Sequence, residues 1–236
     1  MALDFNETKA RAERGDLSAQ YNLAVMYEQG LGVRQRLEQA AYWYLQAALQ
    51  GDAEAQSNLG VLYDRGHGVP QSYEAAVKWY RLAANQGNPL AQMNLAMMYV
   101  NGLGVPVDDS AAVAWYRLAA DRGIAAAQSG LAYLYARGRG VPQDWREAAK
   151  WYRRAAEQDE PEAQYNLGVL HAAGHGVPCD YVEAYRLLKL SAAKGYRAAV
   201  NALYMFTQAL PREIVMEGQR RAAESVVPEA PDGLWA

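Results

Sequence analysis

The chain has 236 residues, of which 51% are apolar and 21% charged, with 23 Lys plus Arg against 26 Asp plus Glu. This composition predicts a globular protein with its own core, and the net charge of -3 excludes the basic excess that holds a nucleic acid backbone. One cysteine excludes an internal disulfide, no apolar run approaches the roughly 18 residues of a membrane span, and the first residues lack a secretory leader. We therefore expect a cytoplasmic protein that is not an integral membrane protein.

The predicted elements begin with residues 1–18, which hold a short helical pattern closed by Gly15 and are expected to form an N-terminal capping helix. Beyond this segment, a shift of 36 residues superimposes the sequence on itself without insertion or deletion. The pair Ala-Gln marks each copy, at positions 19–20, 55–56, 91–92, 127–128 and 163–164. The sequence therefore predicts five repeats, at 19–54, 55–90, 91–126, 127–162 and 163–198.

The first half of each repeat has the pattern of an amphipathic helix, here called helix A. In the second repeat, Ala55, Leu59, Leu62 and Tyr63 lie at the spacing of one apolar helical face. Gly66 follows this face, and glycine is the usual residue just past a helix end. The Gly-x-Gly-Val-Pro segment after it is expected to carry the chain to a second helix.

The second half of each repeat is predicted to form that second helix, helix B. Its start carries capping-box spacing in two repeats, at Asp144 with Glu147 and at Asp180 with Glu183. An apolar stripe with Trp and Tyr side by side follows, and in the second repeat it consists of Ala76, Trp79, Tyr80, Ala83 and Ala84. Small and very large side chains alternate here, which is typical of closely packed helices.

After the fifth repeat, residues 199–224 are predicted to form C-terminal capping helices, interrupted at Pro211, and residues 225–236 a flexible tail. One helical pair cannot bury both of its apolar faces, so neighbouring pairs must stack. The predicted fold class is all-α: an α/α superhelical solenoid of five 36-residue helix-turn-helix repeats with helical caps.

These motifs together resemble those of a known protein family. The pattern Ala-Gln-x-x-Leu-Gly-x-x-Tyr-x-x-Gly-x-Gly-Val-Pro, followed by Ala-x-x-Trp-Tyr-x-x-Ala-Ala-x-x-Gly, is complete at 55–87 and resembles the Sel-one-like repeat, a tetratricopeptide-like family. The chain departs from it at Arg34, Asp159, His171 and Leu187. The resemblance implies a right-handed superhelix with the A helices on its concave surface, and an adaptor that assembles protein complexes.

The helix A face left over by the buried positions is the candidate partner-binding surface. It carries Tyr and Met, which are enriched at recognition surfaces, and asparagines that can both donate to and accept from a peptide backbone. The candidate residues are Tyr21, Asn22, Val25, Asn58, Val61, Met93, Asn94, Met97, Ser129, Tyr133, Tyr165, Asn166 and Val169. Two structural alternatives stay open: the asparagines tie repeats together, or an adjacent helix covers the ridge. The glutamines of the Ala-Gln pairs are interpreted as hydrogen-bonding devices between repeats.

The candidate motifs for catalysis, metal binding and cofactor binding have structural explanations. Ser191 and Lys194 match the Ser-x-x-Lys pattern of penicillin-recognising enzymes, but Ser191 occupies a column of buried alanines. His171 and His175 are separated by a helix-ending glycine, so no metal site is predicted, and Cys179 occupies an ordinary loop position. The Gly-x-Gly turns lack the context of a nucleotide loop, so no cofactor is expected either.

The predicted function is that of a non-enzymatic scaffold or adaptor that binds a protein or peptide. One alternative is a dedicated inhibitor or immunity-type protein that occludes a single partner, and a less favoured one is a hydrolase using Ser191 and Lys194. The chain is expected to be a monomer, with weak self-association through the end caps or Trp235 as a further possibility. High alanine and arginine usage indicates a bacterial source.

Overall fold

The computed structural model of the chain describes residues 4–225, which form thirteen α-helices and, over that range, no strand. The chain divides after Ile124 into two compact units. The first unit contains α1 (Phe5–Glu13), α2 (Leu17–Gln29), α3 (Leu37–Leu49), α4 (Ala53–Arg65), α5 (Tyr73–Asn85), α6 (Pro89–Asn101) and α7 (Asp109–Asp121). The second contains α8 (Ala125–Arg137), α9 (Trp145–Ala156), α10 (Pro161–Ala173), α11 (Tyr181–Ala193), α12 (Arg197–Ala209) and α13 (Arg212–Glu224). The all-α prediction is confirmed, whereas the predicted tail lies almost wholly outside the described residues.

Helices pair within each unit in one recurring manner. In the first unit, α2, α4 and α6 are A helices, and each packs against the B helix that follows it. Each of α1, α3 and α5 also packs against the next A helix, so the core continues from one pair to the next. The second unit repeats this arrangement with α8–α9 and α10–α11.

N-cap side chains and C-terminal glycines set where the A helices begin and end. Asp52 precedes α4 and accepts a hydrogen bond from the Ala55 amide at 2.7 Å, which satisfies one of the free N–H groups of the first turn. Gly66 ends α4 in the left-handed conformation at φ 69°, as predicted, and its N–H donates to the Leu62 carbonyl. Residues equivalent to Asp52 cap three other A helices in the same way, namely Asp16, Asn88 and Glu160.

The B helices confirm half of the predicted capping box. Asp180 accepts from the Glu183 amide at 3.0 Å, as an N-cap residue does, and Asp144 caps α9 likewise. The Glu183 carboxylate, however, forms two hydrogen bonds with the Arg186 guanidinium, at 2.7 and 2.8 Å. An arginine one turn along the helix thus engages the acid that was expected to reach back to the helix start, because charge-assisted pairing is the stronger interaction.

Contact between small and large residues explains the unusual composition. Tyr80 of α5 is fully buried against Gly60 of α4, and a Cβ at Gly60 would lie 2.6 Å from the tyrosine ring. The equivalents of Gly60 in α2, α6 and α8 are the buried alanines Ala24, Ala96 and Ala132. A small residue on helix A thus lets the helix B tyrosine lie close to the neighbouring backbone.

The last two helices depart from this pairing. The position equivalent to Gly60 in α12 is Tyr204, which is largely exposed, and α13 packs against α11 rather than taking up the helix B position on α12. On α13, Gly218 contacts Tyr185 of α11, since a Cβ there would lie 2.8 Å from that ring. The A–B pairing of the repeats therefore stops at α12.

Candidate functional site: the helix A ridges

The glutamines of the Ala-Gln pairs are buried and bind two neighbours each. Gln56 Nε2 donates to the Ala48 carbonyl at the end of the preceding helix B, at 3.0 Å, and Gln56 Oε1 accepts from Gln86 Nε2 at 2.7 Å. Gln20 forms the equivalent pair of bonds in the first repeat. We call this arrangement the glutamine clamp. The predicted role in joining repeats is confirmed, and it removes the glutamines from the binding surface.

One glutamine clamp is incomplete. Gln92 donates to the Ala84 carbonyl at 3.2 Å, but the residue in the position of Gln86 is Arg122, which is exposed. Gln92 Oε1 is buried and has no hydrogen-bond partner among the described residues. The third repeat therefore lacks one of the two bonds that the second repeat makes.

In the first unit, the candidate apolar residues lie on three A helices and are partly open to solvent. Met97 of α6 is 37% exposed, and the others are half-buried. We call this set, Tyr21, Val25, Val61, Met93 and Met97, the first ridge. Half-buried tyrosine and methionine side chains are held on one side by the core and offer the other to a partner.

Polar contacts beside the first ridge involve one of the predicted asparagines. The Tyr44 hydroxyl donates to the Glu28 carboxylate at 2.7 Å, and the rings of Tyr21 and Tyr44 lie 5.8 Å apart. Burial raises the pKa of both tyrosines, and the neighbouring Asn58 side chain opposes that rise. Asn58 of the second repeat therefore lies beside two tyrosines of the first, which favours the structural alternative for this asparagine. Asn22 and Asn94 are half-buried beside the same ridge.

In the second unit, the exposed candidates are aromatic and aliphatic. Tyr133 of α8 is 36% exposed and Val169 of α10 is 40% exposed, while Tyr165 is half-buried. We call these three residues the second ridge. The Arg137 guanidinium lies 5.8 Å from the Tyr133 ring centroid, a cation–π distance, so this ridge carries a positive edge. The predicted Asn166 is half-buried on the same helix as Val169.

Ser129 was predicted to line the partner-binding surface, and the structure corrects this prediction. It is buried, as is its equivalent Ser57, and therefore offers almost no surface to a partner. At this column the long side chains of Tyr21, Met93 and Tyr165 reach solvent, whereas a serine hydroxymethyl group stays below the helix surface.

The sequence pattern missed Tyr196. Its ring lies 5.4 Å from that of Tyr165 and extends the aromatic surface beside the second ridge. The signal was present in the sequence, because Tyr196 stands in the capping column of Asp16, Asp52, Asn88 and Glu160. A bulky aromatic residue in a capping column departs from the helix-start pattern.

One carboxylate near Tyr196 is electrostatically unfavourable. Glu162 is exposed at its tip, but partial desolvation of its carboxylate raises its pKa, and the neighbouring Glu160 carboxylate adds to that rise. Glu160 is itself held by the Ala163 amide at 2.6 Å, so the two acids stay close. The second ridge is therefore flanked by Arg137 on one helix and by an acid with a raised pKa on another.

The candidate catalytic pair has structural contacts instead. Ser191 is fully buried, and its hydroxyl donates to the Pro161 carbonyl at 2.6 Å. Lys194 Nζ lies 2.5 Å from the Asp159 carboxylate and 3.4 Å from Gln164 Oε1, where it replaces the glutamine of the clamp. A nucleophile must be accessible and next to its base, and neither condition holds here.

The remaining polar candidates are separate from one another. His175 stacks on Trp145 with ring centroids 4.7 Å apart, and exposed Cys179 lies 3.5 Å from the Ala172 carbonyl. Within residues 4–225, no cluster of three or more His, Cys, Asp or Glu side chains has the geometry to hold a metal ion. The helices in that range also include none long and apolar enough to cross a bilayer.

The repeat model that matches the chain is that of the Sel1 repeat, at 17–52, 53–88, 89–124, 125–160 and 161–196. The chain belongs to the Sel1 repeat family. Each matched Sel1 repeat begins at the first residue of an A helix, two residues before the boundary expected from the sequence periodicity. Proteins with Sel1 repeats generally mediate protein–protein interactions.

Solved Sel1 repeat structures share the fold. A Sel1 repeat protein from Oxalobacter formigenes is 33% identical over 94% of this chain and 92% of its own, with a TM-score of 0.80. The c5321 protective antigen of uropathogenic Escherichia coli strains, which displays an SLR fold, is 37% identical over 92% of this chain with a TM-score of 0.80, and the chain spans about half of its length, 48%. The immunity protein PA5088 of Pseudomonas aeruginosa is 20% identical over 88% of this chain and 80% of its own, with a TM-score of 0.51, which shows a shared fold alone. No curated protein matches the chain.

Proposed function

We propose that this Sel1 repeat protein is a non-enzymatic adaptor that binds a partner protein, or an extended peptide segment of one, on its helix A ridges. The observation that carries the proposal is the partial exposure of Met97, Tyr133 and Val169 at equivalent positions of successive A helices. Each side chain is fixed at its base by a packed core and open at its tip. Aromatic, methionine and aliphatic tips of this kind provide contact area with little loss of side-chain entropy on binding.

The asparagine column supports a peptide as one form of the partner. Asn22 and Asn94 flank the first ridge and Asn166 the second, and each is half-buried. A side-chain amide offers both a donor and an acceptor, which is what an extended backbone requires. Asn58 is the weaker candidate because it lies beside Tyr21 and Tyr44.

The exposed Cys179, with no second cysteine in the chain, supports a reducing compartment, and we propose the cytoplasm. The proposal assigns no cofactor and no chemical step, since binding alone is the activity.

The test compares two charge substitutions with a matched control. Met93→Glu with Met97→Glu places two carboxylates on the first ridge, and Tyr133→Glu with Val169→Glu does so on the second. The control is Leu82→Glu with Leu118→Glu on the B helices, whose leucines are 48% and 49% exposed. Tagged wild type and variants, first shown to be folded by circular dichroism, are used to capture partners from a bacterial lysate for mass spectrometry.

We expect the control to keep the partners of the wild type and at least one ridge variant to lose them. Purified partner titrated calorimetrically against each protein then gives the loss in affinity, which for one central contact is about 2 kcal/mol or more. Retention of the same partners at equal affinity by both ridge variants, or their loss from the control alone, would contradict the proposal.

A further inference from the structure

Helix α12 exposes a face that is covered in the other A helices. Val200 stands in the column of the clamp glutamines and Tyr204 in the column of Gly60, and both columns are buried in α2, α4, α6, α8 and α10. On α12, however, Val200 is 47% and Tyr204 66% exposed, and the adjacent Met205 is equally open. Ala199 is the only residue of this helix that is buried. A mainly apolar surface therefore lies open on α12.

A helix B of the repeat type does not fit on this face. In the second repeat, Tyr80 of helix B lies so close to Gly60 that a Cβ there would be 2.6 Å from its ring. Tyr204 stands in place of that glycine, and a side chain of this size leaves no room for the tyrosine of a helix B. Helix α13 packs against α11 instead. The face therefore requires an occupant that packs at a wider distance between helices.

The charge pattern of this face suits a second copy of the same face. No acidic or basic residue occurs between Ala198 and Pro211. A two-fold axis places the same residues of two copies opposite each other, so a charge near the axis would be repelled by its own copy. An uncharged centre avoids this repulsion.

The two ends of α12 have opposite partial charges, and both lack partners. Arg197 is the first residue of the helix, is exposed, and has no hydrogen-bond or ion-pair partner among residues 4–225. At the other end, the carbonyls of residues 207–209 accept no hydrogen bond from a described residue. In α4, two of the equivalent carbonyls accept from the Ser72 amide and the Gln71 side chain. A helix C-terminus attracts cations, whereas Arg197 lies at the positive end of its own helix.

An antiparallel pair of α12 helices would join these two ends. Arg197 lies seven residues before Tyr204, which is close to two full turns, so both side chains leave the helix on one face. Pro211 lies seven residues after Tyr204. When two copies pair about Tyr204, Arg197 of one copy therefore lies at the level of Pro211 of the other, next to the free carbonyls.

We propose that α12 pairs antiparallel with α12 of a second copy of this chain, about a two-fold axis near Tyr204. Val200, Tyr204 and Met205 form the apolar centre, and Arg197 of each copy binds the free carbonyls of the other. These three apolar side chains expose roughly 350 Å² per copy, less than half of the ~800 Å² of a standard interface, so the dimer is weak, with a Kd of about 100 µM. Neither helix A ridge contributes a residue, so the pairing is independent of the proposed adaptor function.

The experiment is sedimentation velocity of the full chain at concentrations from about 10 µM to about 1 mM, which span the expected Kd. Tyr204→Glu places a charge near the axis, and Arg197→Glu reverses the charge that meets the partner helix end. The control is Leu118→Glu on α7, which adds the same charge at a leucine that is 49% exposed. All three substitutions are at exposed positions, and circular dichroism checks that each variant is folded.

We expect the wild-type mass to rise from one chain towards two over this range. Tyr204→Glu should raise the Kd by at least about ten-fold and Arg197→Glu by about three-fold, although a glutamate at position 197 suits the start of its own helix better. Leu118→Glu should leave the Kd unchanged. A wild type that stays monomeric up to the highest concentration overturns the proposal. A dimer that Tyr204→Glu does not weaken, or that Leu118→Glu weakens equally, also overturns it.

Disulfide cross-linking tests the antiparallel arrangement in a Cys179→Ser background, which removes the one native cysteine. Tyr204→Cys should oxidise to a disulfide-linked dimer. Val200→Cys should not, because its two copies lie about 12 Å apart along the helices, beyond the roughly 7 Å between Cα atoms that a disulfide spans. A mixture of Val200→Cys and Gln208→Cys chains should cross-link to each other. Cross-linking of Val200→Cys to itself as readily as Tyr204→Cys would overturn the antiparallel pairing.

Discussion

The second repeat, residues 53–88, and the fifth, residues 161–196, have the same pair of helices. They share their backbone contacts but differ in several side-chain contacts. Both keep a loop glycine at φ 71°, Gly68 and Gly176, where the loop meets the start of the preceding helix B. A Cβ at Gly68 would lie 2.3 Å from the backbone of Leu37, and one at Gly176 would lie 2.2 Å from the Trp145 carbonyl. Where backbone touches backbone, any residue other than glycine forces the backbone to move.

Contacts made by side-chain ends do change between the two repeats. Gln86 closes the clamp on Gln56 in the second repeat, and Lys194 takes that place on Gln164 in the fifth. Trp79 becomes Leu187, which is buried and lies at the edge of a cleft. This fold is therefore fixed by a few backbone contacts, whereas side-chain contacts can be exchanged between repeats.

The substitution with the largest expected effect on stability disrupts a backbone contact. Gly68→Ala introduces left-handed strain together with a clash against Leu37, and we expect it to lower the free energy of unfolding by about 3 kcal/mol. Gly87→Ala is the matched control, since it has φ 86° but nothing within 4 Å of the added Cβ, and should cost about 1 kcal/mol. Urea unfolding followed by circular dichroism measures both, and equal losses would show that the contact with Leu37 is unimportant.

Much of this architecture could be predicted from the sequence, because its determinants repeat. The 36-residue period, the helix-ending Gly66 and the stripe with Tyr80 each occur several times, and a local signal that recurs in register is hard to misread. Single departures were harder to interpret. Leu187 and Tyr196 stood out from their columns, but only the structure shows that one lines a cleft and the other extends an aromatic surface.

The exposure of the candidate site was the least predictable feature. Ser129 and Met93 occupy one column, yet the serine is buried and the methionine half-buried, because side-chain length decides which residue reaches solvent. Asn58 looked like its equivalents Asn22 and Asn94, but its contacts with Tyr21 and Tyr44 depend on two tyrosines that only some repeats carry. Helical periodicity predicts on which face of a helix a residue lies, but it does not predict which side chains contact that residue.

The second expected effect tests the glutamine clamp. Gln56→Leu removes both bonds of a complete clamp and should lower the free energy of unfolding by about 2 kcal/mol. Gln92→Leu removes one bond and also removes the unpartnered Oε1, so its cost should be about 1 kcal/mol or less. Both variants bury a leucine at the same column, which makes each the control of the other. Thermal and urea unfolding measure the free energy of unfolding of both variants. An equal or larger decrease for Gln92→Leu would rule out the glutamine clamp as the cause.

A smaller effect with the opposite sign should follow from repairing the third repeat. Arg122→Gln places an amide donor where Gln86 stands in the second repeat, so that Gln92 Oε1 gains a partner. We expect the free energy of unfolding to rise by about 1 kcal/mol. Arg122→Leu, which removes the same charge without supplying a donor, separates hydrogen bonding from charge removal and should give no gain. A gain of equal size in both variants would assign the effect to charge.

The smallest effect concerns one acid and its dependence on pH. Glu54 of the second repeat accepts a hydrogen bond from Asn88 Nδ2 at 2.9 Å, whereas its equivalent Glu162 lies near Tyr196 and Glu160, and partial desolvation raises its pKa. Because the native state then binds more protons than the unfolded state, Glu162 lowers stability as pH rises through its ordinary and raised pKa values, and the deficit persists above them. Glu162→Gln should therefore raise the melting temperature near pH ~7, and this gain should vanish near pH ~3, where the acid is protonated in both states. Glu54→Gln should show no such gain, since the acid it replaces accepts a hydrogen bond from Asn88. A gain for Glu162→Gln that is the same at both pH values would mean that side-chain shape, and not the carboxylate charge, is responsible.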